Sequence, residues 1–234
     1  MIIGAGQQFP RNNSHCVFQL QNGSGGTFSD TANGKSANRD ATKYGSIADW
    51  QTHTPTVSEP FSSNILFDGT DDCLTFEASA DFNPYNANCT WEFFWKPESL
   101  QRQMFFEYYY LDSTKYFITL FFRNTNYGIV MEHRYNGTKY VYAKENWNGT
   151  GVTGYNVEQC YHIAMVKNGL NWKVYRDGKQ IISNNATEEK DHSGNGILYI
   201  GGYFHYLHGA LANVRFHKGI ALWTRNFTPP NRAS

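Results

Sequence analysis

The chain predicts an all-β fold, a jelly-roll sandwich of two antiparallel sheets, on three observations. Aromatic residues fill 17% of the 234 positions, with 17 Phe, 16 Tyr and 6 Trp against 4 Met, a composition suited to pleated surfaces. Short apolar runs recur at close, even spacing, separated by Asn-Gly and Asp-Gly pairs that favour tight turns. Within CTWEFFWKP the residues alternate, so that Trp91, Phe93 and Trp95 share one face while Thr90, Glu92 and Lys96 point the other way. A chain of this length with 40% apolar residues buries one substantial core, which predicts one main domain.

Residues 1–14, MIIGAGQQFPRNNS, have no apolar period and read as an N-terminal arm outside the core. Ile2, Ile3 and Phe9 are too apolar for a free tail, so the arm is expected to bury them against another chain. The jelly roll is expected over 15–230, with 231–234 a polar tail. CVFQLQ, from Cys16, reads as the first strand, and the glycines and Asn-Gly pairs after it mark turns. Residues 39–60 are polar, contain Pro55 and Pro60, and read as a long surface excursion. NILFDGTDDCLTFE predicts a strand, a turn at Asp68-Gly69 and a second strand. After CTWEFFWKP come QMFFEYYYL, YFITLFFR, GIVMEHRY, TKYVYAKE, QCYHIAMVKN, NWKVYRD, KQIISN, GILYIGGYF and ALANVRFHK. Among their separators, Asn136-Gly137, Asn168-Gly169 and Asp177-Gly178, the last suits a two-residue type I′ hairpin with positive φ at both positions. One short helical piece is expected at 220–224, closed off by Pro229 and Pro230.

Twenty basic and 20 acidic residues cancel, and charged residues make up only 17%, which excludes the electrostatic footprint of a nucleic-acid or anionic-membrane binder. MIIGAGQQFP has no basic region followed by an apolar run, and no stretch of eighteen apolar residues occurs, so the product is expected to be soluble and made in the cytoplasm. Cys16, Cys73, Cys89 and Cys160 lack metal-site spacing and read as buried free thiols, with one disulfide left open. Seven Asn-x-Ser/Thr triplets reflect an Asn- and Thr-rich composition rather than glycosylation.

From Cys16 to Pro230 the chain resembles the laminin-G-like, concanavalin A-like jelly rolls of bacterial proteins and, in this form, of tailed-bacteriophage structural proteins. The resemblance rests on FDGTDDCLTF (67–76), TWEFFWKP (90–97), CYHIAMVKNG (160–169), WKVYRDGK (172–179), LYIGG (198–202) and, most specifically, LANVRFHKGIALWTRNFTPP (211–230). It implies a curved sheet with a concave face and rim loops that bind sugars in related lectins, and it does not imply catalysis. Family members often hold calcium; here Asp30 with Asn33, or Asp71 with Asp72, would supply hard oxygen ligands, although these are also ordinary turn residues.

Glycosidases of this architecture place carboxylates on one strand facing a cleft, and no Glu-x-Asp-x-x-Glu or Glu-x-Asp-x-Glu run is present. Glu188, Glu189 and Asp191 fall in a polar, turn-like stretch and read as solvated. No nucleophile elbow, phosphate loop or zinc-binding helix occurs, and the three-residue spacing of His205 and His208 does not converge two imidazoles on a metal. Tyr108, Tyr109 and Tyr110, together with Tyr203, Phe204 and Tyr206, are candidates for an exposed recognition surface, because Tyr offers a flat face for a sugar ring and a hydroxyl for its edge. The expectation is a non-enzymatic virion protein, a head decoration or fibre-like component at the virion surface, made in the host cytoplasm. Its expected partners are other virion proteins, further copies of itself and host glycans. A carbohydrate-binding module that is not primarily structural is the alternative.

Overall fold

The computed structural model describes residues 15–22, 28–32, 35, 41–44, 51–52, 63–110, 116–146, 148–149, 151–152, 154–157, 159–189, 195–202 and 204–229. Ile2, Ile3 and Phe9 of the arm, Asn33, Tyr203, Asp191 and the tail lie outside these residues. The strands are β1 (Cys16–Asn22), β2 (Phe28–Asp30), β3 (Thr42–Tyr44), β4 (Gln51–Thr52), β5 (Ser63–Asp68), β6 (Cys73–Ser79), β7 (Cys89–Pro97) and β8 (Gln103–Tyr110). They continue as β9 (Tyr116–Asn124), β10 (Gly128–Tyr135), β11 (Thr138–Lys144), β12 (Tyr161–Asn168), β13 (Asn171–Arg176), β14 (Lys179–Asn185), β15 (Gly196–Ile200) and β16 (His208–Lys218).

All pairings among the described residues are antiparallel. One sheet runs β14-β13-β12-β7-β16-β1-β2, with β5 also on β16 and β4 on β5; the other runs β11-β10-β9-β8-β15-β6-β3. The long β16 serves two partners, β5 through residues 208–211 and β1 through 215–217. Between them its register against β7 shifts around Asn213, which holds φ 51°, a bulge that lets one strand turn from one neighbour to the next.

The predicted Trp91, Phe93 and Trp95 stripe is buried between the sheets. Trp91 stacks on Phe106 of the opposite sheet at 4.4 Å and on Phe216 at 4.2 Å, and Trp95 meets Phe105 edge-on at 4.8 Å. The other face of β7 is buried as well, which alternation did not foresee: Thr90, Glu92 and Phe94 keep 0%, 3% and 1% exposure. The segment after β16 covers them, with Trp223 and Phe227 stacked at 4.0 Å and both meeting His162 edge-on. Beneath this cover His162 and His217 each place Nε2 3.3 Å from a Glu92 oxygen. Burial alone would raise the Glu92 pKa, yet these two hydrogen bonds hold it well below the ordinary carboxylate range.

Two expectations are corrected. No helix forms at 220–224; Leu222 N donates to Thr90 Oγ1 at 3.0 Å and Thr90 Oγ1 lies 3.4 Å from Ile220 O, so bonds to β7 replace helical ones. The stretch 39–60 is not wholly an excursion, since Thr42–Tyr44 pairs with β6 and Gln51–Thr52 with β5. The unpaired backbone row of a sheet edge accepts a passing chain whatever its polarity.

The Asp177-Gly178 turn has φ 50° and 75°, as the two-residue hairpin requires, and Asn136-Gly137 repeats it at 48° and 76°. All four cysteines are buried thiols outside any disulfide.

Candidate functional site

Strand alternation gives the seven-stranded sheet an outer face that can be read rung by rung. Phe106, Tyr108, Ile118, Leu120 and Met131 join the core, so Glu107, Thr119 and Glu132 between them point outward. Their register makes one rung across all seven strands, Thr42, Thr75, Tyr199, Glu107, Thr119, Glu132 and Tyr142. A neighbouring rung carries Ile197, Tyr109, Phe117 and Arg134; on the other side lie Met104, Phe121, Val130 and Lys144. The face is therefore a polar middle row between two rows rich in rings and aliphatic groups.

Its floor is recessed. Glu107, Thr119 and Glu132 keep 4%, 3% and 7% exposure, while Tyr109, Phe117, Tyr142 and Tyr199 around them are half-buried. The Thr119 hydroxyl lies 3.1 Å from the Phe106 carbonyl and 2.7 Å from Met104 Sδ. Glu132 Oε1 takes both Arg134 and Lys139, the latter at 3.4 Å. Among the described residues no such cation pairs with Glu107: burial first, and then the Glu132 charge, push its pKa up to about 7. Cations line the rings, with Arg134 5.4 Å from the Phe117 centroid, Lys139 3.7 Å from that of Tyr142 and Arg123 4.3 Å from that of Tyr127. Carboxyl and hydroxyl groups on a floor with flat rings at its margins can bind the hydroxyls of a sugar and stack on its faces.

The predicted recognition residues divide. Tyr108 is corrected: it is 1% exposed and its hydroxyl accepts from Gly196 N at 3.0 Å, because alternation turns it inward. Tyr110 also turns inward and packs half-buried against the core, leaving Tyr109 as the outward member of the run. Phe204 is 65% exposed and Tyr206 half-buried, in a loop fixed beside the start of β8 by the Met104 N to His205 O bond of 3.0 Å. Sequence reasoning missed Glu107, Thr119, Glu132 and Phe117, since they meet across three strands and share no local motif.

The calcium candidates also divide. Asn33 and the side chain of Asp30 lie outside the described residues. Asp71 and Asp72 form a cluster with Asp68, one oxygen from each lying within 4.8 Å of the others. Asp72 Oδ2 accepts from Asp68 N at 2.9 Å and Asp68 Oδ1 from Thr70 N at 2.7 Å, which is turn chemistry that needs no ion. Among the described residues no such cluster contains His205 or His208.

Residues 68–222, about two thirds of the chain, match the family described as the Concanavalin A-like lectin/glucanases superfamily. No curated protein matches the sequence. Among solved structures, the receptor binding domain of botulinum neurotoxin C/D mosaic serotype is similar at TM-score 0.61 and 13% identity, covering 89% of this chain and 49% of that one. The botulinum neurotoxin serotype D ligand binding domain, in complex with N-acetylneuraminic acid, is similar at TM-score 0.62 and 15% identity, covering 91% and 49%. Domain 4 of AbnA, an extracellular GH43 arabinanase from Geobacillus stearothermophilus in complex with arabinotriose, is similar at TM-score 0.61 and 14% identity, covering 83% and 88%. The chain thus spans about half the length of the neurotoxin domains. At these identities the likeness shows the fold alone.

Proposed function

The chain belongs to the concanavalin A-like lectin/glucanase superfamily, and on that premise we propose that it is a glycan-binding module that holds its ligand without turnover and serves at the surface of a tailed-phage virion. The observation that carries glycan binding is the polar row Glu107, Thr119 and Glu132 set into an outward sheet face between Tyr109, Phe117 and Tyr142. A neighbour of the same fold was solved with arabinotriose and another with N-acetylneuraminic acid, which supports the ligand class. A glycan array is the test. Binding is expected, and Phe117→Ala and Tyr109→Ala are expected to weaken it, since each ring stacked on a sugar contributes about 1 kcal/mol or more. An array with no hits, or hits indifferent to both substitutions, overturns the reading.

The virion setting rests on the resemblance of 211–230 to the closing segment of phage-encoded copies. Deleting residues 1–14 is expected to leave a folded domain that no longer associates with its neighbours or the particle; normal assembly of the truncated protein refutes it. One observation favours a hydrolytic second reading. Glu107 and Glu132 stand two strands apart on one rung, one with a pKa near 7 and the other ion-paired, a division of roles that acid-catalysed glycoside cleavage uses. Against it, Glu132 is already occupied by two cations and Thr119 stands between the carboxyls. Release of reducing ends from a β-glucan by the purified protein would establish the second reading.

A further inference from the structure

At one end of the same face, two arginines stand opposite each other. Gln103 of β8 pairs with Phe122 of β9, so the residues flanking that pair, Arg102 and Arg123, face one another across the two strands. Both lie on the outward side, as Met104 and Phe121 do two positions along. Like charges directly opposed on neighbouring strands repel. Burial first, and then the Arg123 charge, lower the Arg102 pKa, and burial and Arg102 do the same to His205.

Among the described residues neither arginine has a carboxylate bonded to it. Arg102 lies 4.9 Å from the Phe121 centroid. Arg123 lies over Tyr127 and reaches Tyr142 Oη at 3.5 Å. Glu132, the nearby acid, is taken by Arg134 and Lys139. Rings thus support the guanidinium planes, and beyond the Arg123 bond to Tyr142 Oη the described contacts leave N–H groups of both arginines for a planar or tetrahedral anion, which a guanidinium can grip with two bonds. The exposed Phe204 loop borders this end of the face.

The geometry points to an anion subsite between Arg102 and Arg123, so that the glycan the face selects is acidic, its carboxylate or sulfate held by the arginine pair while its ring extends toward Tyr142 and the floor. This inference rests on the glycan-binding reading above and adds the ligand class to it. A neutral glycan leaves the two guanidiniums opposed, with the Glu132 charge offsetting only part of what burial and Arg123 do to Arg102. An acidic one neutralises them at a distance where a direct contact is weakly screened by salt.

The test compares matched glycans differing only in charge, lactose, 3′-sialyllactose and 3′-sulfated lactose among them, on an array and by titration. The proteins are the wild type, Arg102→Gln with Arg123→Gln, and Arg102→Lys with Arg123→Lys. At least one acidic form is expected to bind tenfold or more tightly than its neutral counterpart, the sialylated and sulfated arms telling carboxylate from sulfate. The double Gln variant should lose that preference, its acidic and neutral affinities becoming equal within about twofold, and the double Lys variant, which keeps charge but not the fork, should fall between. If neutral glycans bind and acidic forms gain nothing, or the preference survives in the double Gln variant, the subsite is overturned and the glycan-binding module stands. If no glycan binds at all, both fall together.

Discussion

Two turns of the same backbone geometry sit in different surroundings, and glycine substitution at each separates local strain from docking of the closing segment. Gly137 and Gly178 both follow a residue of positive φ and hold φ 76° and 75° themselves. Alanine at either position adds a Cβ in the left-handed region, which costs about 1 kcal/mol. At Gly137 that Cβ meets nothing within 4 Å, whereas at Gly178 it would lie 1.8 Å from the Phe227 carbonyl oxygen and 2.9 Å from its carbon. The backbone around Phe227 must then move away. The move breaks the Phe227 N to Gly178 O bond, 2.9 Å, and the Gln180 N to Asn226 Oδ1 bond, also 2.9 Å. Two hydrogen bonds at about 1 kcal/mol each and a disturbed aromatic stack at about 1 kcal/mol bring Gly178→Ala to about 4 kcal/mol, against about 1 kcal/mol for Gly137→Ala. Urea unfolding followed by far-ultraviolet circular dichroism measures both. Equal losses for the two variants would refute the docking of residues 219–229 over β7 and β12.

Phe93→Ala empties a site 1% exposed between the sheets and is expected to lose about 3–5 kcal/mol in the same assay. Tyr108→Phe removes the acceptor for Gly196 N, so about 1 kcal/mol of stability should go while glycan affinity stays unchanged. Glu107 binds its proton more tightly when folded, with a pKa about 7 against an ordinary 4.5, so its favourable contribution is present below about 4.5 and is lost as pH rises through 7. Glu107→Gln should remove that decline, shifting the pH 5 to pH 8 stability difference by on the order of 3 kcal/mol, read from urea midpoints at both pH values. A wild type and a variant with parallel pH profiles would show that Glu107 is not buried as described.

The sequence made the sandwich legible because its cues are local: the ring alternation in β7, the Asp177-Gly178 turn and the even spacing of strands each depend on a few neighbouring residues. What escaped depends on tertiary placement. The closing stretch from Ile220 looked helical, yet Thr90, 130 positions earlier in the chain, takes its backbone bonds. Tyr108, Tyr109 and Tyr110 looked alike as a recognition run, and only the register against β9 and β15 decides that Tyr109 faces outward. Glu107, Thr119 and Glu132 carry no motif because their proximity comes from strand pairing. Alternation places Glu92 on the face opposite the ring stripe, but its acidity is set by His162 and His217 under a segment that covers the sheet from far along the chain.

The central claim is that the outer face of the seven-stranded sheet is where a glycan binds. The most direct measurement is a crystal structure of the protein with a glycan taken from the array. The account predicts sugar rings against Tyr109, Phe117 or Tyr142 with hydroxyls bonded to Glu107, Thr119 or Glu132. A glycan seated instead on the nine-stranded sheet, or held wholly by loops away from β8, β9, β10 and β11, would contradict it.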